Sequence, residues 1–239
     1  MGGRDVLVSG KTPFRIEVPY TLIESGQKGE KPMIVYLHGF GQNVRIFRRK
    51  VDALLNLRAY HLFIQGPYPI YDESRKRKVR DWGRSWYLYD GEQQQFVRSL
   101  ELTSEFIQEV IDKLIRLVDV NRLALVGYSM GGYQAGYFAL SRWKHVNDLA
   151  VVGGRIKTEV FRERSGSYGH LNVLALHGSA DVSVEAGPQR ESAAELEEWG
   201  AKVDFRELDR GHELDDAYVE ELRGWLRDSG YVDEGYVED

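Results

Sequence analysis

Leu123-Ala124-Leu125-Val126-Gly127-Tyr128-Ser129-Met130-Gly131-Gly132 is the stretch on which the reading of this chain turns. An apolar run of strand length ends in Gly-x-Ser-x-Gly, and an alanine- and aromatic-rich helical pattern follows. That order of strand, tight turn and helix is what a nucleophile elbow requires: the serine stands on the turn, and glycines let the backbone fold sharply. The chain has 25 glycines, so the five-residue motif alone could arise by chance, and its flanking strand and helix and its partners decide the matter.

Working outward, strands alternate with helices. Met33-Ile34-Val35-Tyr36-Leu37, residues 61–65, Asp148-Leu149-Ala150-Val151-Val152 and Asn172-Val173-Leu174-Ala175-Leu176 are apolar runs typical of strands buried on both faces. Residues 202–208 read as a further strand. Helical periodicity covers residues 44–58, 97–119, 130–142, 188–199 and 214–227. Residues 5–9 and 14–19 alternate with period two and predict short antiparallel strands at the start of the sheet. The fold class is therefore α/β, a mostly parallel central sheet with helices on both faces. No linker or repeat divides the chain, and the expectation is a single domain over residues 1–239. Residues 66–96 form a long irregular segment rich in Tyr68, Tyr71, Trp82, Trp86, Tyr87 and Tyr89, with a basic run at 75–80 that reads as a solvated tip.

Composition narrows the function. The 239 residues are 42% hydrophobic and 29% charged, with a net charge of −5, which disfavours nucleic acid or an anionic membrane as partner. There is no cysteine, hence no disulfide, thiolate metal site or cysteine nucleophile. The first residues lack the apolar core of a signal peptide, and no apolar run approaches the ~18 residues of a membrane span. A cytoplasmic protein without stable membrane insertion is expected, with no metal.

In a parallel sheet the carboxyl ends of the strands share one edge, where ligands bind. Ser129 follows one strand, Asp181 follows the strand at 172–176, and His212 follows the last strand. Serine, aspartate, histidine is the order expected after a nucleophile elbow. His212 is the expected base, and Asp181 would orient its imidazole. His38 and His177 fall in His-Gly turns and are expected to brace them, while Asp204 and Asp209 are weaker rivals for the acid. The backbone N–H groups of Met130 and Phe40 are the expected oxyanion donors. Aromatics point to an apolar acyl or aryl group, with Trp82, Trp86, Tyr128 and Val184 as the expected substrate-binding residues.

His38-Gly39-Phe40-Gly41, Gly127-Tyr128-Ser129-Met130-Gly131-Gly132, His177-Gly178-x-x-Asp181-x-x-Val184 and Gly211-His212-Glu213 together resemble the α/β-hydrolase superfamily. Within it they look like the phospholipase/carboxylesterase group that includes acyl-protein thioesterases. The resemblance implies the α/β-hydrolase fold without a large cap and cofactor-free hydrolysis of a small-molecule carboxylic ester. It also implies that Trp86-Tyr87 is an aromatic pair near the acyl pocket. The basic insertion within 66–96 and the arginine-rich stretch after Gly154 depart from that pattern. Three alternatives use the same residues: a thioesterase, a peptidase or amidase, and a non-catalytic binding protein. The oligomeric state, monomer or homodimer, is open.

Overall fold

The computed structural model describes residues 8–12 and 15–233. Seven strands form the main sheet: β1 (Tyr20–Glu24), β2 (Lys31–Leu37), β3 (Tyr60–Ile64), β6 (Val120–Tyr128), β7 (Asp148–Val152), β8 (Asn172–Gly178) and β9 (Lys202–Leu208). Two further strands, β4 (Tyr68–Pro69) and β5 (Arg84–Ser85), make a separate antiparallel ribbon. The order across the main sheet is β1-β3-β2-β6-β7-β8-β9. Every neighbouring pair is parallel except β1 with β3. The five principal helices are α1 (Val44–Lys50), α2 (Gln93–Leu114), α3 (Met130–Ser141), α4 (Ala186–Glu198) and α5 (Asp216–Asp228).

The strands are apolar at nearly every position because both of their faces are covered. Alternate side chains point to opposite sides. Met33, Val35, Leu37, Leu123, Leu125, Leu149 and Val151 pack with α2, α3 and α4. Ile34, Tyr36, Ala124, Val126, Ala150, Val152, Leu174 and Leu176 pack with α1 and α5. The central strands β2 and β6 thus lie between two helical layers, and their carboxyl ends meet at one edge.

The structure shifts several sequence-based boundaries. No strand forms at 8–9 or 15–19; residues 5–7 and 14 lie outside the described residues. The antiparallel edge strand is β1 instead, paired with β3 from Tyr20↔Ile64 to Glu24↔Tyr60. Alternation in the earlier stretch has no ladder partner, and periodicity without a partner does not make a strand. The helix expected over 44–58 breaks into α1 and a short 3-10 turn, Asp52–Asn56. The helix expected from 97 begins at Gln93, because three glutamines hide its first turn from a search for apolar periodicity. Among the described residues no helix is long and apolar enough to cross a membrane.

Candidate active site

Ser129 sits between β6 and α3 at φ 52°, ψ −119°. A non-glycine residue at positive φ in this region is strained by about 1–3 kcal/mol and persists only where the surroundings enforce it. Here they do. A Cβ at Gly127 would collide with the carbonyl of Gly131, and a Cβ at Gly131 would collide with the carbonyl of Leu37. A Cβ at Gly154 would lie 2.8 Å from the carbonyl oxygen of Ser129 itself. The glycines let β6, α3 and the turn after β7 close around the serine. The Ser129 N–H donates to the Val152 carbonyl at 2.8 Å, and its carbonyl accepts from Gly132 and Tyr133.

The structure brings Asp181 and His212 to this serine. His212 Nε2 lies 2.9 Å from Ser129 Oγ, and His212 Nδ1 lies 2.6 Å from Asp181 Oδ2. With Nδ1–H donating to the carboxylate, a neutral imidazole has Nε2 free to accept the serine proton. Asp181 Oδ1 accepts from the N–H groups of Ser183 at 2.8 Å and Val184 at 2.9 Å. Burial would raise the Asp181 pKa. The Val184 N–H, His212 and the Ser183 N–H outweigh that burial and hold the carboxyl below its ordinary value. His212 is held from behind by Tyr128, whose hydroxyl donates to the His212 carbonyl at 2.7 Å and whose ring packs on the imidazole. The rivals stand elsewhere: Asp204 pairs with Arg206, and the Asp209 carbonyl accepts from Arg210.

The histidines of the two His-Gly turns are braces, as their context predicts. His38 Nδ1 donates to the Gly39 carbonyl at 2.8 Å, and His38 Nε2 accepts from the Gly66 N–H at 3.0 Å. His177 bridges the Val184 carbonyl and the Gln189 side chain, beneath Asp181. The turn after β2 is clamped from outside by the β4–β5 ribbon. Gly41 N–H donates to the Arg84 carbonyl, Arg84 N–H donates to the Gln42 carbonyl, and a Cβ at Gly83 would lie 2.5 Å from the Gly41 carbonyl oxygen. The irregular segment is thus a support for the turn that carries Phe40. The N–H groups of Phe40 and Met130 have no protein acceptor among the described residues. Preorganised donors of this kind are what a developing oxyanion needs.

A cleft of about 410 Å³ opens at Ser129. Its walls include Phe40, Tyr87, Tyr89, Phe96, Tyr133 and Val184, with the Met130 side chain. Three of the four residues expected to bind substrate do not line it. Trp86 is fully buried, and its indole N–H donates to the His38 carbonyl at 2.7 Å. It packs under the turn, leaving its neighbour Tyr87 to face the cleft. Trp82 lies in the outer loop, stacked edge-on against Tyr71 and donating to the Arg77 carbonyl. Tyr128 is occupied with His212. Only Val184 of that set reaches the cleft. Sequence reasoning missed Phe96, Tyr133, Gln93, Arg155 and Lys157. Tyr133 reads as an ordinary helix position and Phe96 falls at the end of the irregular segment 66–96, whereas Arg155 stands three residues past the end of β7, a place where ligand contacts could be sought.

The fold matches known structures across nearly its full length. It aligns with a Bacillus cereus carboxylesterase at a TM-score of 0.68 and 18% identity, covering 89% of this chain and 94% of that one. A carboxylesterase from Mesorhizobium loti aligns at a TM-score of 0.69 and 19% identity, covering 88% and 94%. Zea mays acyl-protein thioesterase 2 aligns at 0.66 and 18%, covering 88% and 98%. At such identities the likeness speaks to the fold. A comparison with curated protein sequences returns no match. The sequence profile of the phospholipase/carboxylesterase family, however, matches residues 18–229. With the α/β-hydrolase sheet, its uncapped edge and a family match over most of its length, the chain belongs to the phospholipase/carboxylesterase family.

Proposed function

We propose that this protein is a serine carboxylic-ester hydrolase that works through an acyl-enzyme on small to medium acyl or aryl esters. The observation that carries the reading is the relay Ser129–His212–Asp181, at 2.9 and 2.6 Å, on a strained turn at the mouth of an aromatic cleft. Ser129 Oγ attacks the ester carbonyl carbon as its proton passes to His212 Nε2. The carbonyl oxygen becomes an oxyanion facing the N–H groups of Phe40 and Met130. Collapse of the tetrahedral adduct breaks the bond to the leaving alkoxide, which takes the proton from His212. Water then attacks the acyl-serine by the same route, giving the carboxylic acid and free Ser129. Asp181 keeps its negative charge throughout and stabilises the imidazolium.

The test is covalent and kinetic. A fluorophosphonate probe should label Ser129, and Ser129→Ala should lose both labelling and turnover of p-nitrophenyl acetate and butyrate. Unchanged turnover in that variant would exclude the mechanism. Faster cleavage of peptides than of esters would select the amidase alternative.

A further inference from the structure

The cleft beside Ser129 is aromatic on most sides, yet two cations line one wall. Arg155 and Lys157 follow directly from Gly154, which is pressed against the Ser129 carbonyl. Among the described residues lining this cleft there is no carboxylate. Lys157 is buried, its ammonium donating to Gln93 at 3.0 Å and to Glu159 at 2.7 Å and lying 5.2 Å from the Phe96 ring centroid. An ammonium is costly to bury unless it is paired, and Glu159 and Gln93 supply the partners here.

Among the described residues, Glu159 is the one carboxylate that pairs with both cations. It accepts from Lys157 with Oε1 and from Arg155 Nη2 with Oε2, at 3.1 Å. Burial alone would raise the Glu159 pKa, but Lys157, a backbone N–H and Arg155 hold it below the ordinary value, so it stays ionised. Two cations and one carboxylate leave a surplus of one positive charge facing the cleft. Only Nη2 of the Arg155 guanidinium bonds a protein group among the described residues, the Glu159 carboxylate, and the side chain is about one-third exposed (35%), so Nη1 is left to donate elsewhere. A guanidinium with spare donors is a ready fork for a second carboxylate.

We propose that Arg155, backed by Lys157, forms a specificity subsite for esters that carry a carboxylate remote from the scissile bond, such as the half-ester of a dicarboxylic acid. The subsite deepens the esterase reading and rests on it. The aromatic walls hold the methylene chain, and the anion ends at Arg155. Glu159 sets the cations in place and keeps the unliganded cleft from carrying two unbalanced charges.

Two matched pairs test this, one with the anion on the acyl side and one with it on the alcohol side. These are monomethyl adipate against methyl hexanoate, and 4-acetoxybutyrate against butyl acetate. The readout is the ratio of kcat/KM for the charged ester over its neutral partner. In the wild type we expect a ratio of tenfold or more in at least one pair, reduced by 0.5 M NaCl. Arg155→Gln should cut that ratio at least tenfold, and Arg155→Lys should restore part of it. Ratios near one in both wild-type pairs, or an equal loss on charged and neutral esters in Arg155→Gln, would overturn the proposal. Calorimetry of adipate binding to Ser129→Ala, with and without Arg155→Gln, reads the subsite independently of turnover. Binding weakened tenfold or more by Arg155→Gln supports the subsite even if no ester is cleaved, an outcome that would count against the esterase reading alone. Absent or unaltered adipate binding would count against the subsite.

Discussion

Asp181 is held in place by its neighbours on every side. Its carboxylate is fixed by the Ser183 and Val184 N–H groups on one oxygen and by His212 on the other. Replacing it by asparagine keeps the volume but removes the charge and puts an amide where the imidazole must donate. Asp181→Asn should therefore fold normally and lose on the order of 10⁴ in kcat, through the wrong histidine tautomer. Steady-state turnover of p-nitrophenyl butyrate, with circular dichroism as the control for folding, measures this; a loss below tenfold would remove Asp181 from the relay. That Ser129, Asp181 and His212 would meet was legible because each follows a strand and they come in the order expected after a nucleophile elbow. Trp82, Trp86 and Tyr128 were misread because aromatic composition says nothing of direction. Trp86 and Tyr87 are adjacent, yet one is buried beneath the turn and the other faces the cleft.

Between β6 and α3 the controlling quantity is distance of approach. Gly131 sits where a Cβ would overlap the carbonyls of Leu37 and His38, so the helix start is wedged between β6 and the turn after β2. Gly131→Ala must push these apart. Overpacking of this kind costs about 1–3 kcal/mol, and it moves the Met130 N–H relative to Ser129 as well. The expected result is a lower Tm in thermal unfolding together with loss of esterase turnover that exceeds the loss of folded protein. A variant with native Tm would show that the backbone can shift freely here. The sequence places this strand–turn–helix within a residue or two, because the apolar run, the glycines and the alanine-rich helix are all local. It does less well on the β4–β5 ribbon. Two-residue strands carry no periodicity, and the ribbon exists because Gly83 and Arg84 find the turn at Gly41 and Gln42.

Two buried histidines tie the stability of the protein to pH. His38 and His61 are both lowered from 6.5 to about 4, first of all by burial. Their hydrogen bonds agree. His38 Nε2 must accept from Gly66 N–H, and His61 Nδ1 accepts from the Tyr36 hydroxyl while its Nε2 donates to the Leu57 carbonyl. A second proton would break one bond in each ring. Below 6.5 the unfolded chain takes up protons that the folded chain refuses, so stability is full above that pH and falls as pH drops towards 4. Each histidine should cost about 2 kcal/mol between pH 7 and pH 5. Urea unfolding at the two pH values should show this loss, and His61→Asn should shrink it by about one histidine's share. An unchanged difference in that variant would mean that His61 titrates alike in both states.

These histidines were visible in the sequence only as members of apolar runs or His-Gly turns; their burial depends on strands and loops far apart in the chain. The same division runs through the protein. Strand and helix alternation, the elbow and the order of Ser129, Asp181 and His212 are properties of short segments, and short-range sterics and hydrophobic period make them readable. The sheet order β1-β3-β2-β6-β7-β8-β9, the aromatics that line the cleft and the meeting of Lys157 with Gln93 and Phe96 of α2 arise from contacts between segments. They were decided only when two helical layers closed on the sheet, because a side chain's neighbours across the fold are fixed by packing, which no local pattern encodes.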